Sequence, residues 1–244
     1  MKLQQYLKQY DRLAVALSGG ADSACLLREA AAALGRERVL AITVQTELLP
    51  ARRLRMAKRI AELADVEHVI LQVEALEDDA IRENGPLREY YYHRLILRAV
   101  LDEAWVRSCE HVADGLRADE SSRAVYKAAE ERNVLSPFAV CGMGQFQVAA
   151  LRKGMAEDAA EGQGNLAQRL PPDMPLTLEM LSRIDEAEEE LFCLGLTTAR
   201  VVVEGKSARI LIGETEKERY HALMERARSV TEKAGFGLLE KQSE

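Results

Sequence analysis

The residues most suited to chemistry stand early in the chain, in the run Ser18-Gly19-Gly20-Ala21-Asp22-Ser23. Five apolar residues, Leu13 to Leu17, precede it, and a helix-forming run with leucines at 26, 27 and 34 follows. Two glycines at a strand-to-helix turn let backbone N–H groups, and the positive end of the helix dipole, come close to an anion. Ser18 and Ser23 add hydroxyl donors, and the Asp22 carboxylate suits a Mg2+ ion that bridges phosphate oxygens. Phosphate is therefore the expected guest. Neither G-x-x-x-x-G-K-[ST] nor G-x-G-x-x-G occurs at this turn, so the two commoner nucleotide fingerprints do not carry the reading. A plain turn would use the glycines alone, without the serines and the aspartate.

A second group follows the short apolar run His111–Ala113. In "ADGLRADE", Asp114, Asp119 and Glu120 fall at the carboxyl end of a predicted strand, on the rim expected for the glycine turn, where carboxylates suit Mg2+ or substrate. The same segment also reads as an acidic helix start with Asp119 or Ser121 as N-cap. Arg123 and Arg169 carry guanidinium forks that fit phosphate or carboxylate, or serve as ordinary surface arginines. Tyr90, Tyr91 and Tyr92 lie consecutively on a predicted helix and point in different directions, which favours packing over a shared site. The four histidines show no metal spacing. Cys25, Cys109, Cys141 and Cys193 form no C-x-x-C pair and read as reduced core residues.

The elements that position these groups alternate. Leu13–Leu17, Val39–Val44, His68–Val73 and His111–Ala113 read as strands, separated by helical patterns. Arg52–Ala64, with Leu54, Ala57, Ile60, Ala61 and Ala64 at helical spacing, reads as an amphipathic crossover. Strands joined in this way are parallel, and the expected class is α/β, a doubly wound parallel sheet whose ligands sit at the carboxyl strand ends near a switch in strand order. Glycines and prolines gather at Ala156–Thr177, which reads as a long loop. Beyond it come a helix over Thr177–Leu194 stopped by Gly195, two strands around Gly205, a helix from a Thr215–Glu218 capping box to Gly235, and a final run Phe236–Leu239. The expected division is 1–160 for the nucleotide-binding domain, 161–176 for a linker or active-site loop, and 177–244 for a small α+β appendage.

Lys plus Arg number 33 against 40 Asp plus Glu, a net charge of −7, which gives no global electrostatic case for a nucleic-acid partner. The N-terminal "MKLQQYLKQYDRL" has no apolar h-region and no run of eighteen apolar residues occurs, so the expectation is a cytoplasmic chain with no membrane partner.

"SGGADS" resembles the pyrophosphate loop of the PP-loop ATP pyrophosphatases, a Rossmann-like superfamily that cleaves ATP between its α and β phosphates. The order of "AITVQTELLP", "NGPLREYYYHR", "ADGLRADE", "NVLSPF", "NLAQRLPPDMPLT" and "ARVVV…ARI" extends the likeness, from about Leu13 to Ile212, to the LarE family of ATP-dependent sacrificial sulfur transferases. The resemblance implies ATP and Mg2+ as cofactors, a small carboxylate- or amide-bearing substrate, adenylation of that substrate, and a homo-oligomer. It implies catalytic roles for Asp22, Asp119, Arg123 and Arg169. ATP contacts would come from Ser18, Gly19, Gly20, Asp22, Ser23 and Thr43, substrate or anion contacts from Asp114, Glu120, Arg169 and Arg200, and Mg2+ ligation from Asp22 and Asp119.

The likeness breaks in the sulfur half of the site. Asn165 stands where the family's sacrificial cysteine belongs, and an amide cannot act as a thiolate. Glu89 and Tyr92 occupy the C-x-x-C positions used by cluster-binding relatives. After the carboxylate loop "SSRAV" keeps only Arg123, and Asp158, Ala159 and Ala160 replace a Trp-Asp-Lys element. Cys141 is a possible relocated donor, but its apolar "FAVCG" setting favours an inert thiol. An external sulfur or nitrogen donor is thereby implied. Two alternatives stay open: an ammonia-using ligase or tRNA-modifying enzyme of the superfamily, and a nucleotide-binding protein that has lost catalysis.

Overall fold

A computed structural model describes residues 2–120, 122–153 and 164–239. The expected sheet is present. Strands β1 (Leu13–Ala16), β2 (Val39–Gln45), β3 (Glu67–Gln72) and β4 (Val112–Ala113) are parallel and lie in the order β3-β2-β1-β4. A bridge between Ala113 and Leu135 continues the ladder beyond β4.

Side-chain alternation shows why both faces are covered. Leu13, Val15, Val39 and Ala41 pack on one face with Leu26, Leu27, Ala57 and Ala61 from the Ala21–Leu34 and Ala51–Ala64 helices. Ala14, Leu40, Ile42 and Val44 pack on the other with Leu97, Val100 and Ala104 of the Arg88–Val106 helix. The chain runs outward from β1 to β2 and β3, then returns to β4 on the opposite side of β1. The strand order therefore reverses at the carboxyl end of β1, where Leu17–Ser23 lies.

The chain divides into two compact units. The first comprises Met1–Thr46, Arg53–Ala75 and Leu87–Gly162, and the second Glu47–Arg52, Leu76–Pro86 and Gln163–Glu244. In the second unit, 164–176 is tied to the two earlier segments through Leu166 N–H to Leu48 O at 2.9 Å, Asn84 Nδ2 to Pro171 O at 2.9 Å and Leu176 N–H to Arg82 O at 2.7 Å. Thr177 caps the Leu178–Cys193 helix by accepting from Met180 N–H, and Gly195, at φ +82°, follows its end. Strands β5 (Arg200–Glu204) and β6 (Ser207–Leu211) form an antiparallel hairpin around Gly205, and β7 (Gly237–Leu238) joins β6 in parallel.

Three local readings are corrected. No capping box forms at Thr215–Glu218: residues 214–216 make a 3-10 turn, followed by separate helices Lys217–Ala222 and Met224–Lys233. Glu216 is the acceptor used, and it takes the backbone N–H groups of Thr197 and Thr198, each at 3.0 Å. The cap after the carboxylate loop is Ser122, which accepts from Val125 N–H, rather than Asp119; Ser121 lies outside the described residues. Only two cysteines are core residues, Cys25 and Cys109, whereas Cys141 is half-buried and Cys193 exposed. Asp158, Ala159 and Ala160 also lie outside the described residues.

Candidate active site

The loop after β1 is pressed against its neighbour most closely at Gly19, where backbone leaves no room for a side chain. Gly19 has φ +72°, and a Cβ there would meet the Arg53 carbonyl oxygen at 2.1 Å. Gly20 serves as N-cap of the Ala21–Leu34 helix without a side chain to fill that role, and a Cβ on it would meet Arg53 Nη2 at 2.4 Å. The loop is thus pressed against the start of the next helix, with the first turn of its own helix left uncapped by a side chain. Ser23 ties the loop internally: its hydroxyl donates to Gly20 O at 3.0 Å and accepts from Ser18 N–H at 3.3 Å. Ser18 Oγ lies 3.2 Å from Ser23 Oγ and accepts from Arg53 Nη2 at 2.8 Å, while Arg53 Nε donates to Ser18 O at 3.0 Å.

Thr43 lies beneath this loop. Its buried hydroxyl donates to Leu17 O at 2.6 Å and is 2.8 Å from His68 Nε2. With its only hydrogen committed to Leu17, Thr43 accepts from His68, so the proton of the neutral ring sits on Nε2. Burial, with the Lys58 charge adding, lowers the His68 pKa and favours that neutral form.

The carboxylate loop after β4 closes against the same turn. A Cβ on Gly115 would stand 2.9 Å from Ser23 N, which places the 114–119 segment on the first turn of the Ala21–Leu34 helix. Arg117 then reaches Asp22, donating from Nη1 to Oδ2 at 3.0 Å, and its Nε is 3.3 Å from Asp119 Oδ1. Asp119 Oδ2 accepts from Gln145 N–H at 2.7 Å, and the tyrosine hydroxyl of Tyr126 donates to the Arg117 carbonyl. Asp114 is buried at the strand end. Desolvation pushes its carboxyl pKa up to about 6, against the opposing effects of Ser136, Leu116 N–H and His93. Glu120 accepts from Ser122 N–H, and Arg123 is exposed at the first position of the Arg123–Glu130 helix.

The structure thus brings Ser18, Gly19, Gly20, Asp22, Ser23 and Asp119 together, with Thr43 below and Asp114 buried nearby in sequence. Arg53 and Arg117 were not singled out from the sequence. Each is one arginine in a basic or acidic run, and their approach to the loop appears only in tertiary contacts, Arg53 to Ser18 and Arg117 to Asp22.

The second unit holds a separate charged cluster. Arg169 is fully buried and paired with Glu188, Nε to Oε1 at 2.8 Å and Nη2 to Oε2 at 3.2 Å. Glu188 Oε1 also accepts from Val201 N–H at 2.9 Å. Arg200, half-buried, has its pKa lowered by burial and by the Arg169 charge, with Glu188 opposing. Arg169 is thus paired with Glu188, and both charges act on Arg200. Asn165 is buried at the start of the Leu166–Arg169 turn, and its carbonyl accepts from Arg169 Nη1 at 3.2 Å. At the other sulfur positions, Glu89 pairs with Arg88, and the Tyr92 hydroxyl meets Thr46 Oγ1 at 3.0 Å. Burial raises the thiol pKa of Cys25, to about 11, and also those of Cys109 and Cys141, the reverse of nucleophile activation.

No family model matches the chain. Over 234 residues it is 28% identical to the pyridinium-3,5-bisthiocarboxylic acid mononucleotide synthase of Lactiplantibacillus plantarum, across 94% of this chain and 85% of that protein. It is also 28% identical over 212 residues to an uncharacterized protein of Synechocystis sp., across 85% of this chain and 79% of that protein. The first similarity agrees with the LarE-like resemblance read from the sequence. No helix among the described residues is long and apolar enough to cross a membrane.

Proposed function

We propose that the chain is a LarE-like PP-loop enzyme that adenylates a small carboxylate-bearing substrate with ATP. The observation that carries this reading is the Ser18–Ser23 loop: a strand-to-helix turn at the reversal of strand order, with Gly19 at positive φ and its Cβ position taken by backbone, and a helix start at Gly20 lacking a side-chain cap. Such a turn offers N–H groups to a polyphosphate. The name of the Lactiplantibacillus relative describes formation of thiocarboxylic acids on a pyridinium mononucleotide. That product supports a carboxylate acceptor here.

In the proposed reaction, a carboxylate oxygen attacks the α phosphorus and pyrophosphate leaves, its charge received by the loop N–H groups, Ser18 and the two neighbouring arginines. An incoming sulfur or nitrogen nucleophile then breaks the acyl C–O bond and AMP departs. Arg200 and Arg123 are assigned as anion contacts, on the strength of the family resemblance. The expectation of Mg2+ at Asp22 and Asp119 does not fit this chain's arrangement, because the Arg117 guanidinium stands between those carboxylates.

No sulfur is assigned to the polypeptide: Asn165 offers none, the thiols of Cys25, Cys109 and Cys141 are raised in pKa by burial, and the exposed Cys193, at the end of the Leu178–Cys193 helix, is not at a donor position of the family resemblance. The proposed nucleophile is accordingly an external one, and the intact mass of the protein, Cys193 included, tests that assignment. The test supplies ATP, a pyridinium dicarboxylate mononucleotide, and either sulfide or ammonia. AMP and pyrophosphate in equal amounts, with unchanged intact protein mass, are expected. ADP and phosphate would contradict the reading, and loss of hydrogen sulfide from a cysteine would overturn the external donor.

A further inference from the structure

Arg117 occupies the place where a divalent cation would be expected. Its guanidinium engages Asp22 Oδ2 and Asp119 Oδ1, one oxygen from the carboxylate at the glycine loop and one from the loop that follows β4. The arrangement is built rather than incidental. Gly115 lets the loop run against the backbone of Asp22 and Ser23, and Gly144 leaves room for Asp119, whose Oδ2 would lie 2.7 Å from a Cβ there. Tyr126 and Gln145 hold the two ends of the Arg117–Asp119 segment through its carbonyl and carboxylate. The Arg117 side chain is 23% exposed and that of Asp22 29%, so the pair is shielded from much of the solvent.

Arg53 approaches Ser18 as well, through both its carbonyl and its hydroxyl. Asp22 and Asp119 thus share the Arg117 guanidinium, and Arg53 brings a second positive charge to Ser18. Without the arginines, Asp22 and Asp119 would face a polyphosphate as two uncompensated negative charges, the situation a divalent ion ordinarily relieves. A guanidinium stays charged throughout the working pH range, and its planar fork can hold a carboxylate on one edge and a phosphate oxygen on another.

We propose that Arg117 is a positioning residue that stands in for a divalent cation between Asp22 and Asp119, so that, with Arg53, the loop grips a nucleotide polyphosphate without a metal ion held by the protein. This rests on the nucleotide-binding reading above. The inference concerns the metal dependence of binding at this site, and no covalent step is part of it.

The test is equilibrium binding of α,β-methylene ATP to the full chain, in EDTA and in excess Mg2+. Wild-type affinity is expected to differ by less than about threefold between the two conditions. Arg117→Gln removes the guanidinium from between Asp22 and Asp119 and is expected to lose about tenfold in EDTA while regaining most of the loss with Mg2+. Arg117→Lys, which keeps the charge without the fork, should fall between them and guards against misfolding of the glutamine variant. A purely structural role for Arg117 would lower affinity equally in both conditions and would overturn the proposal. Wild-type binding that collapses in EDTA would overturn it too, while leaving the nucleotide reading intact. No binding in either condition would remove both.

Discussion

At the scale of single residues, Gly19 and Asp114 make opposite demands on their surroundings. Gly19 combines positive φ with a Cβ position 2.1 Å from a carbonyl oxygen. Gly19→Ala is expected to cost about 2 kcal/mol or more and to abolish nucleotide binding, as checked by denaturant unfolding and calorimetric titration. Asp114 instead titrates against its burial. Its folded pKa, about 6, lies above the ordinary carboxylate value, so the native state holds the proton more tightly than the unfolded chain. The stability this contributes is complete below about pH 4 and is lost as pH rises through about 6. Asp114→Asn should flatten the stability profile between those values; an unchanged profile would place the titration elsewhere. Legibility at this scale was uneven. Two glycines, two serines and an aspartate announced an anion loop, whereas Arg117 gave no signal, because its significance comes from a salt bridge to a residue 95 positions away.

At the scale of elements, local chemistry predicted boundaries where the deciding partner lay within a few residues. Thr177 and Gly195 bound a helix as read, since a hydroxyl cap and a left-handed glycine act on their own turn. The Thr215–Glu218 pattern failed because Glu216 is drawn to Thr197 and Thr198, a tertiary contact outside any local rule. Arg169 shows the same limit: a residue read as an anion ligand is fully buried and paired with Glu188. Removing one partner leaves a buried charge unpaired, so Glu188→Ala is expected to lose about 3–5 kcal/mol. Arg169→Met with Glu188→Leu should cost clearly less than the single change, because no uncompensated charge remains in that pair. Thermal unfolding of the three proteins decides this, and equal losses in single and double variants would contradict the ion-pair account.

At the scale of the whole molecule, the parallel sheet was legible because its strands are short apolar runs separated by amphipathic helices, and Leu13/Val15 against Ala14 already encode two covered faces. The composition of the second unit was not legible. Residues 47–52 and 76–86 join it chiefly through backbone hydrogen bonds to 164–176, with the Asn84 amide to Pro171 O beside them, and backbone bonds carry no side-chain pattern. The function proposed for the molecule depends on one chemical event, attack of a carboxylate oxygen on the α phosphorus of ATP. The most direct measurement uses a pyridinium dicarboxylate mononucleotide labelled with 18O in its carboxyl groups, incubated with the full chain, ATP and sulfide or ammonia, with mass analysis of the nucleotide released. Adenylation predicts that AMP carries one labelled oxygen, because the acyl C–O bond breaks when the nucleophile displaces it. Unlabelled AMP would mean that water attacked the α phosphorus, and would contradict the account.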